Sequence, residues 1–439
     1  MKKNFPQIGV QIPEILIPKP DIDYHKWGVI ACDQFTSQPE YWADVESVVG
    51  DSPSTLNIIL PEVYLGKKDE ERHRLEVVES MRRFISSDTF TSYQNLILVE
   101  RTVDGKTRHG MMLALDLEHY NFNANASSLI RASEGTIIDR LPPRIKIRQE
   151  ALLETPHILV LIDDPLRTVI EPLVAQKDRF EKIYDFDLMA GSGHLTGFNI
   201  NQPDVEQRVI SAIEKLADPS VFKEKYQLER DLPVLLFAVG DGNHSLATAK
   251  SVWEKIKPQV GMDHPARYAL VEIENIHNEG LVFEPIHRLI FGVHKDIKKA
   301  FQESFGDQVS FSVCSSQSEL LKQTALSDSK THCLGMVTES GYELVKISHS
   351  NMNLPVGTLQ VFLDKWLSDG GADSIDYIHG HEVVFRLGQQ PGNIGFIVPA
   401  MVKGDLFKTV ILDGALPRKA FSMGEAHEKR FYFECRKIV

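Results

Sequence analysis

The stretch that decides the reading of this chain is PVLLFAVGDGNHSLATAK, residues 233–250. Its first half is a continuous apolar run, the pattern of a strand buried inside a sheet. Gly240, Asp241, Gly242, Asn243, His244 and Ser245 then turn the chain into LATAKSVWEKI, which has the spacing of an amphipathic helix. Glycine at two turn positions permits positive φ and close approach of a ligand to the backbone. Asn243 or Ser245 can cap the helix. The N–H groups and the dipole at such a helix start attract an anion, phosphate above all. Asp241 does not favour phosphate; it is suited to hold a metal ion, orient His244 or accept a proton. His244 can donate to a phosphoryl oxygen or serve in acid–base chemistry. The competing reading is a plain βα turn in which glycine and asparagine supply geometry and nothing binds. The turn is neither a Walker A loop nor a dinucleotide fingerprint, since it lacks the lysine of one and the third glycine of the other. Lys250 reads as a solvated helix residue.

Working outward, WGVIAC (27–32) reads as a buried strand, and Ser37 with Glu40 makes a capping-box pattern at a helix start. Leu75, Val78, Met81 and Ile85 recur at helical spacing. NLILVERTV and HGMMLALDL are strands joined across Asp104 and Gly105, a strong hairpin signal. HILVLIDD (157–164) is another buried strand, with a polar helix expected through 168–185, and Val205, Val209, Ile213 and Leu216 mark a further helix. ARYALVEIEN adds a strand. From residue 295 the order is helix, strand, helix, strand, strand. TLQVFLDKWL then reads as a helix, followed by short strands at HEVVFRL, NIGFIVP, LFKTVIL and RFYFECRKI. These elements predict an α/β (α+β) chain with mixed sheets. The expected divisions are a main domain over 1–294, a small αβαββ subdomain over 295–350, and a C-terminal helix and strands over 351–439 completing the main body.

A chain of 439 residues exceeds one ordinary core, which supports that division. With 48 Lys+Arg against 61 Asp+Glu, the net charge of -13 disfavours nucleic acid and anionic membrane as partners. Cys32, Cys314, Cys333 and Cys435 form no CxxC pair, so reduced thiols are expected. The N-terminal segment has no apolar signal core, and the apolar runs are strand-sized. The expectation is a soluble cytoplasmic protein with a small-molecule substrate, homo-oligomerisation being left open.

Other segments carry candidate chemistry. RASEGTIIDRLPPRIKIR (131–148) gathers Arg131, Arg140, Arg144, Lys146 and Arg148 around Glu134, Thr136 and Asp139. Arg131 and Glu134, beside Gly135, are candidates to clamp phosphate or carboxylate; Lys146 and Arg148 read better as solvated charges. MAGSGHLTG (189–197) is a lid, an anion nest or a plain glycine-rich loop. Asp163 and Asp164 end a strand where carboxylates can hold Mg²⁺, although a turn before Pro165 explains them better. HGHE (379–382) places alternate histidines on a presumed strand face, a metal pair without an evident third ligand. The basic and aromatic segment 416–437 borders a site or forms a structural strand.

Five segments carry a family resemblance: IACDQFTSQPEYW (30–42), RASEGTIIDRLPPRI (131–145), GDGNHSLATAK (240–250), FEPIHR (283–288) and PRKAFSMGEAHEKRFYFECR (417–436). Together they resemble the bacterial family called domain of unknown function 1015. More distantly, the strand–DGxH–helix turn is similar to the phosphate-binding turn of the ParB and sulfiredoxin-like group, which includes enzymes that phosphorylate free serine. That likeness implies a phosphate-binding strand–turn–helix and nucleotide or phosphoryl-transfer roles for Asp241, Gly242 and His244. Many relatives carry arginine after the histidine. This chain has Ser245 there, so charge for the phosphates must come from Arg131, Arg144 or Lys250. The resulting expectation is a kinase using ATP or ADP with Mg²⁺ on a free amino acid such as serine. Gly240, Gly242, Asn243, Ser245, Arg131, Thr136 and Arg144 would hold the nucleotide. Asp241 or Glu134 would take the substrate proton, and His244 with Arg131 would stabilise the transferring charge. The alternatives are a non-catalytic nucleotide or metabolite sensor and a metal-dependent hydrolase.

Overall fold

Alternation of apolar residues builds a hairpin from Leu96–Val103 and Lys106–Asp116, turning at Asp104 and Gly105 with positive φ at both. Positive φ at both turn positions matches the right-handed twist of the strands. This hairpin lies near the middle of the larger sheet in the computed structural model of the chain. The structure describes residues 3–30, 35, 39–123, 125–328, 330–424 and 426–439, with backbone alone at Glu62 and Ala426. Residues 36–38, and with them the Ser37 capping pattern, fall outside the described residues, as does Cys32.

The chain forms two units, Met1–Val282 with Met423–Val439, and Phe283–Ser422. The divisions expected from the sequence fall at 294/295 and 350/351.

In the first unit an eleven-stranded mixed sheet carries the site. Its main path runs Glu181–Asp187, His194–Ile200, Leu96–Val103, Lys106–Asp116, Tyr268–Asn275, Leu159–Ile162, Phe237–Asp241, Ile130–Ala132, Tyr120–Asn121. Both faces are covered, which explains the continuous apolar runs. Leu98, Met111, Val160, Val239 and Val271 pack with Val209 and Ile213 of helix Pro203–Leu216 and with Leu246 and Trp253 of helix Asn243–Val260. Ile97, Val99, Met112 and Leu270 join a second core with Trp42, Met81 and Phe84. Phe431, Phe433, Cys435 and Ile438 from the chain's end complete that second core.

In the second unit the order over 297–348 is Ile297–Phe305 helix, Val309–Cys314 strand, Gln317–Thr324 helix, Thr331–Thr338 and Gly341–Ser348 strands. These strands share a sheet with Ile394–Ile397, Phe283–Val293 and Ala372–His379. The unit begins at the strand Phe283–Val293 and includes helix Pro355–Ser368.

Several elements differ from the sequence expectation. HEVVFRL and LFKTVIL are helices, His381–Gly388 and Asp405–Leu412. Val384, Phe385 and Gly388, like Leu406, Phe407 and Val410, are buried at helical spacing. Apolar runs this short do not distinguish strand from helix without their tertiary partner. Residues 168–185 hold the short helix Glu171–Val174 and the 3₁₀ turn Lys177–Arg179 before the edge strand Glu181–Asp187 begins. In helix Glu70–Ser86 the buried face is Arg74, Val77, Val78, Met81 and Phe84, leaving Leu75 exposed. No helix among the described residues is long and apolar enough to cross a membrane. Cys314, Cys333 and Cys435 are buried free thiols.

Candidate active site at the 240–245 turn

The strand Phe237–Asp241 lies between Leu159–Ile162, antiparallel to it, and Ile130–Ala132, parallel to it. The parallel register sets Ile130, Arg131 and Ala132 against Phe237, Ala238 and Val239. RASEGTI therefore runs alongside the turn, and Ser133 Oγ donates to the Val239 carbonyl. The helix Leu141–Glu150 then packs against Asn243–Val260. The 131–144 segment thus folds back beside the turn, which two separate stretches of sequence could only suggest.

Gly242 has φ +81°, and its backbone presses so close to Ile158 that a Cβ would stand 3.0 Å from that residue's Cα. Its N–H donates to Asp241 Oδ1 at 2.9 Å. Gly242 itself is the N-cap, and no side chain caps the helix, so neither Asn243 nor Ser245 takes the capping role expected of them. The first helical bond runs from Leu246 N–H to the Gly242 carbonyl at 3.0 Å. The N–H groups of Asn243, His244 and Ser245 precede it and point out of the helix start. Asn243 Oδ1 and, in the neighbouring segment, Thr136 Oγ1 are buried without a hydrogen-bond partner among the described residues.

His244 Nε2 accepts from the Ile137 N–H at 3.3 Å, which places the ring proton on Nδ1 in the neutral imidazole. Ser245 Oγ stands 3.2 Å from His157 Nε2, and the His157 ring meets Tyr432 edge-on at 5.1 Å. Lys429 Nζ lies 3.2 Å from Asp241 Oδ2. Burial alone would raise the Asp241 pKa. The Lys429 ammonium, His157, and the hydrogen bonds from Lys429 and Gly242 outweigh it and hold the carboxyl below its ordinary value. Asp241 is thus a fixed anion facing a fixed cation.

The arginines are placed differently. Arg131 is buried, with Nε donating to the Ser128 carbonyl and Nη2 to those of Pro233 and Val234. Burial pushes its pKa down to about 10. Arg144 Nη1 donates to the Arg140 carbonyl at 2.7 Å at the start of its helix. Arg148 pairs with Glu154 at 2.5 Å, and Lys250 with Glu254 at 2.5 Å along its own helix. Lys429 is a cation that reaches the turn, at Asp241.

The model of the family described as "Protein of unknown function (DUF1015)" matches residues 16–365. The chain belongs to that family. A search of curated proteins finds no match. Solved structures similar to this DUF1015 chain include a free serine kinase in complex with AMP, at 9% identity and TM-score 0.38, covering 74% of this chain and 92% of that one. SbnI with C-terminal truncation from Staphylococcus aureus is 10% identical at TM-score 0.34, covering 71% and 83%. A conserved hypothetical protein from Pyrococcus furiosus is 10% identical at TM-score 0.34, covering 73% and 94%. None supplies a residue-by-residue correspondence.

The remaining candidates of this DUF1015 chain lie elsewhere. Asp164 Oδ2 accepts from the N–H groups of Thr168 and Val169, while Asp163 accepts from His277 at 2.6 Å and Tyr226 at 2.5 Å and pairs with Lys225 at 2.8 Å. Both aspartates are therefore answered by protein donors. In 189–197, Gly191 and Gly193 form a tight turn into the strand His194–Ile200, and His194 is held between Asp185 and Asp187 at 2.6 and 2.7 Å. His379 ends a strand, Gly380 caps, and His381 opens a helix, so HGHE does not present two histidines on one strand face. No group of three or more His, Cys, Asp or Glu suited to a metal occurs among the described residues.

Two residues at the turn escaped the sequence reading as site residues. His157 lies two residues before the strand Leu159–Ile162, whose first residue pairs with Asp241, and in the sequence it reads only as a strand start. Lys429 is one of the basic residues, with Arg418, Lys419, Arg430 and Arg436, of the 416–437 segment that the sequence offers as bordering a site or forming a structural strand, without a role at the turn.

Proposed function

We propose that the 240–245 turn binds the phosphates of a nucleotide, ATP or ADP, and that the protein is a small-molecule phosphotransferase acting on a free amino acid such as serine. The observation that carries this reading is the pairing of an uncapped helix start with the Lys429 ammonium at Asp241. N–H groups at a helix start and a partly desolvated cation are a phosphate's usual partners. The unanswered atoms fit the same group: Thr136 Oγ1 can donate to a phosphate oxygen, and Asn243 Oδ1 can accept from a ribose hydroxyl. The nucleotide supplies the phosphoryl group. Mg²⁺ with phosphates requires only one or two protein carboxylates, a role open to Asp241 and Glu134. His244 stands at the helix start, where its ring can donate to a phosphoryl oxygen. Asp241 or Glu134 takes the substrate proton, and Asp241 orients Lys429.

The test is incubation of purified protein with ATP or ADP, Mg²⁺ and amino acids, following nucleotide turnover in parallel with calorimetric binding. Turnover that is lost in Asp241→Ala supports the reading. Absence of nucleotide binding and turnover, unchanged by Lys429→Ala, overturns it. A non-catalytic nucleotide sensor is the second reading. It is favoured by the depressed Asp241 carboxyl, and it is recognised by binding without turnover.

A further inference from the structure

Glu272 and Glu274 stand two residues apart on the strand Tyr268–Asn275, so they project from one face of the sheet. Glu272 forms an ion pair with Arg430. Gly110, opposite Glu274, leaves room for the Glu272 side chain, since a Cβ there would stand 2.0 Å from Glu272 Oε1.

Glu274 is placed differently. It is 0% exposed, and neither of its carboxylate oxygens has a hydrogen-bond partner among the described residues. Its neighbour Arg108 is 6% exposed. Arg108 Nε lies 3.1 Å from Glu274 Oε1 but out of line for a hydrogen bond. Arg108 Nη1 donates to the Glu428 carbonyl at 3.0 Å, while Nη2 is buried with no partner. Among the described residues, two acceptors on Glu274 and two donors on Arg108 are thus buried without a hydrogen-bond partner, the kind of unsatisfied set that folded proteins keep for a bound group.

The main chain ties this pair to the turn. The Glu428 carbonyl is gripped by Arg101 at 2.9 Å as well as by Arg108, and the next residue, Lys429, reaches Asp241. One dipeptide thus has the unsatisfied pair on one side and the 240–245 turn on the other.

We propose that Arg108 and Glu274 bind the zwitterionic end of a free α-amino acid, its carboxylate on Arg108 Nη2 and its ammonium on Glu274. The ligand chemistry follows from the atoms. A carboxylate accepts the unused guanidinium N–H, and an ammonium supplies the donors that the Glu274 oxygens lack. The two charges cancel, so the buried site gains no net charge on binding, whereas a lone amine or a lone carboxylate would leave one partner unanswered. This deepens the phosphotransferase reading, on which it rests for the direction of the ligand's side chain towards the turn.

The experiment is calorimetry on the full chain without nucleotide, comparing L-serine and other α-amino acids with N-acetylserine and serine amide. The expected result is binding of the free amino acids, with either capped analogue weakened about tenfold or more, as loss of a charge-assisted bond implies. Glu274→Gln, checked for an unchanged fold by circular dichroism, loses the preference for the free ammonium. Should that variant fail to fold, the analogue series on the native chain decides alone. No amino-acid binding at millimolar concentration, equal binding of the capped analogues, or an unchanged preference in folded Glu274→Gln overturns the assignment. A parallel titration with ADP separates the two readings. Amino-acid binding with no ADP binding sinks only the nucleotide, and ADP binding with no amino-acid binding sinks only this site.

Discussion

At the level of single residues, the decisive contact is Lys429 with Asp241. Replacing Lys429 by alanine removes the cation and leaves Asp241 facing the phosphates, so ADP affinity is expected to fall about 10- to 100-fold. Calorimetry checks this, and Lys429→Arg is expected to recover part of the loss. A second residue-level effect concerns Glu272. Burial pushes its carboxyl up to about 7, against Arg430 and with the help of Glu274. Between the ordinary 4.5 and about 7 the folded chain keeps a proton that the unfolded chain releases. The stabilisation is therefore complete below the lower value and is lost as pH rises through the upper one, at up to ~1.4 kcal/mol per pH unit. Urea midpoints at pH 5 and pH 7.5 are expected to fall in the native chain and to differ less in Glu272→Gln. Equal differences in the two proteins would remove Glu272 as the cause. Apolar residues were legible in the sequence because burial follows their type. Glu272, Glu274 and Arg430 were not, because a buried charge depends on partners brought from distant segments.

At the level of elements, the turn works because Gly242 lets a strand pass into a helix without a capping side chain. Gly242→Ala places a Cβ at positive φ against Ile158, with an expected loss of about 1–2 kcal/mol from the backbone alone. A thermal melt measures that loss. The same substitution should weaken ADP binding, because it moves the N–H groups of the first turn. The strand–turn–helix unit was readable from 233–250, since apolar run, glycines and helical spacing are all local. The neighbouring segment was harder. RASEGTI became part of the site through parallel pairing of Ile130–Ala132 with the turn strand, and sequence distance hides such pairing. The pairing also turned Arg131 towards backbone carbonyls, away from the role its position beside Gly135 suggested.

For the whole molecule, the C-terminal residues close the first unit. Phe431, Phe433, Cys435 and Ile438 lie in one core with Trp42 and Met81, and Arg430 pairs with Glu272. Ending the chain after residue 422 is therefore expected to leave the first unit unfolded, as judged by near-ultraviolet circular dichroism and soluble yield. Residues 283–422 form their own unit and are expected to fold when expressed alone, with a cooperative thermal transition. A non-cooperative melt of that fragment would contradict its independence.

The sequence by itself determined the α/β character, the hairpin at Asp104 and Gly105, the run of elements over 297–348, and the turn with its glycines. Each of these rests on the periodicity or chemistry of adjacent residues. Only the tertiary structure decided that HEVVFRL and LFKTVIL are helices, that Lys429 rather than Arg131 reaches the turn, and that Arg108 and Glu274 meet unsatisfied beside it. Those outcomes depend on which surfaces the chain brings into contact, and the free energy of burying a charge or a short apolar run is set by that contact.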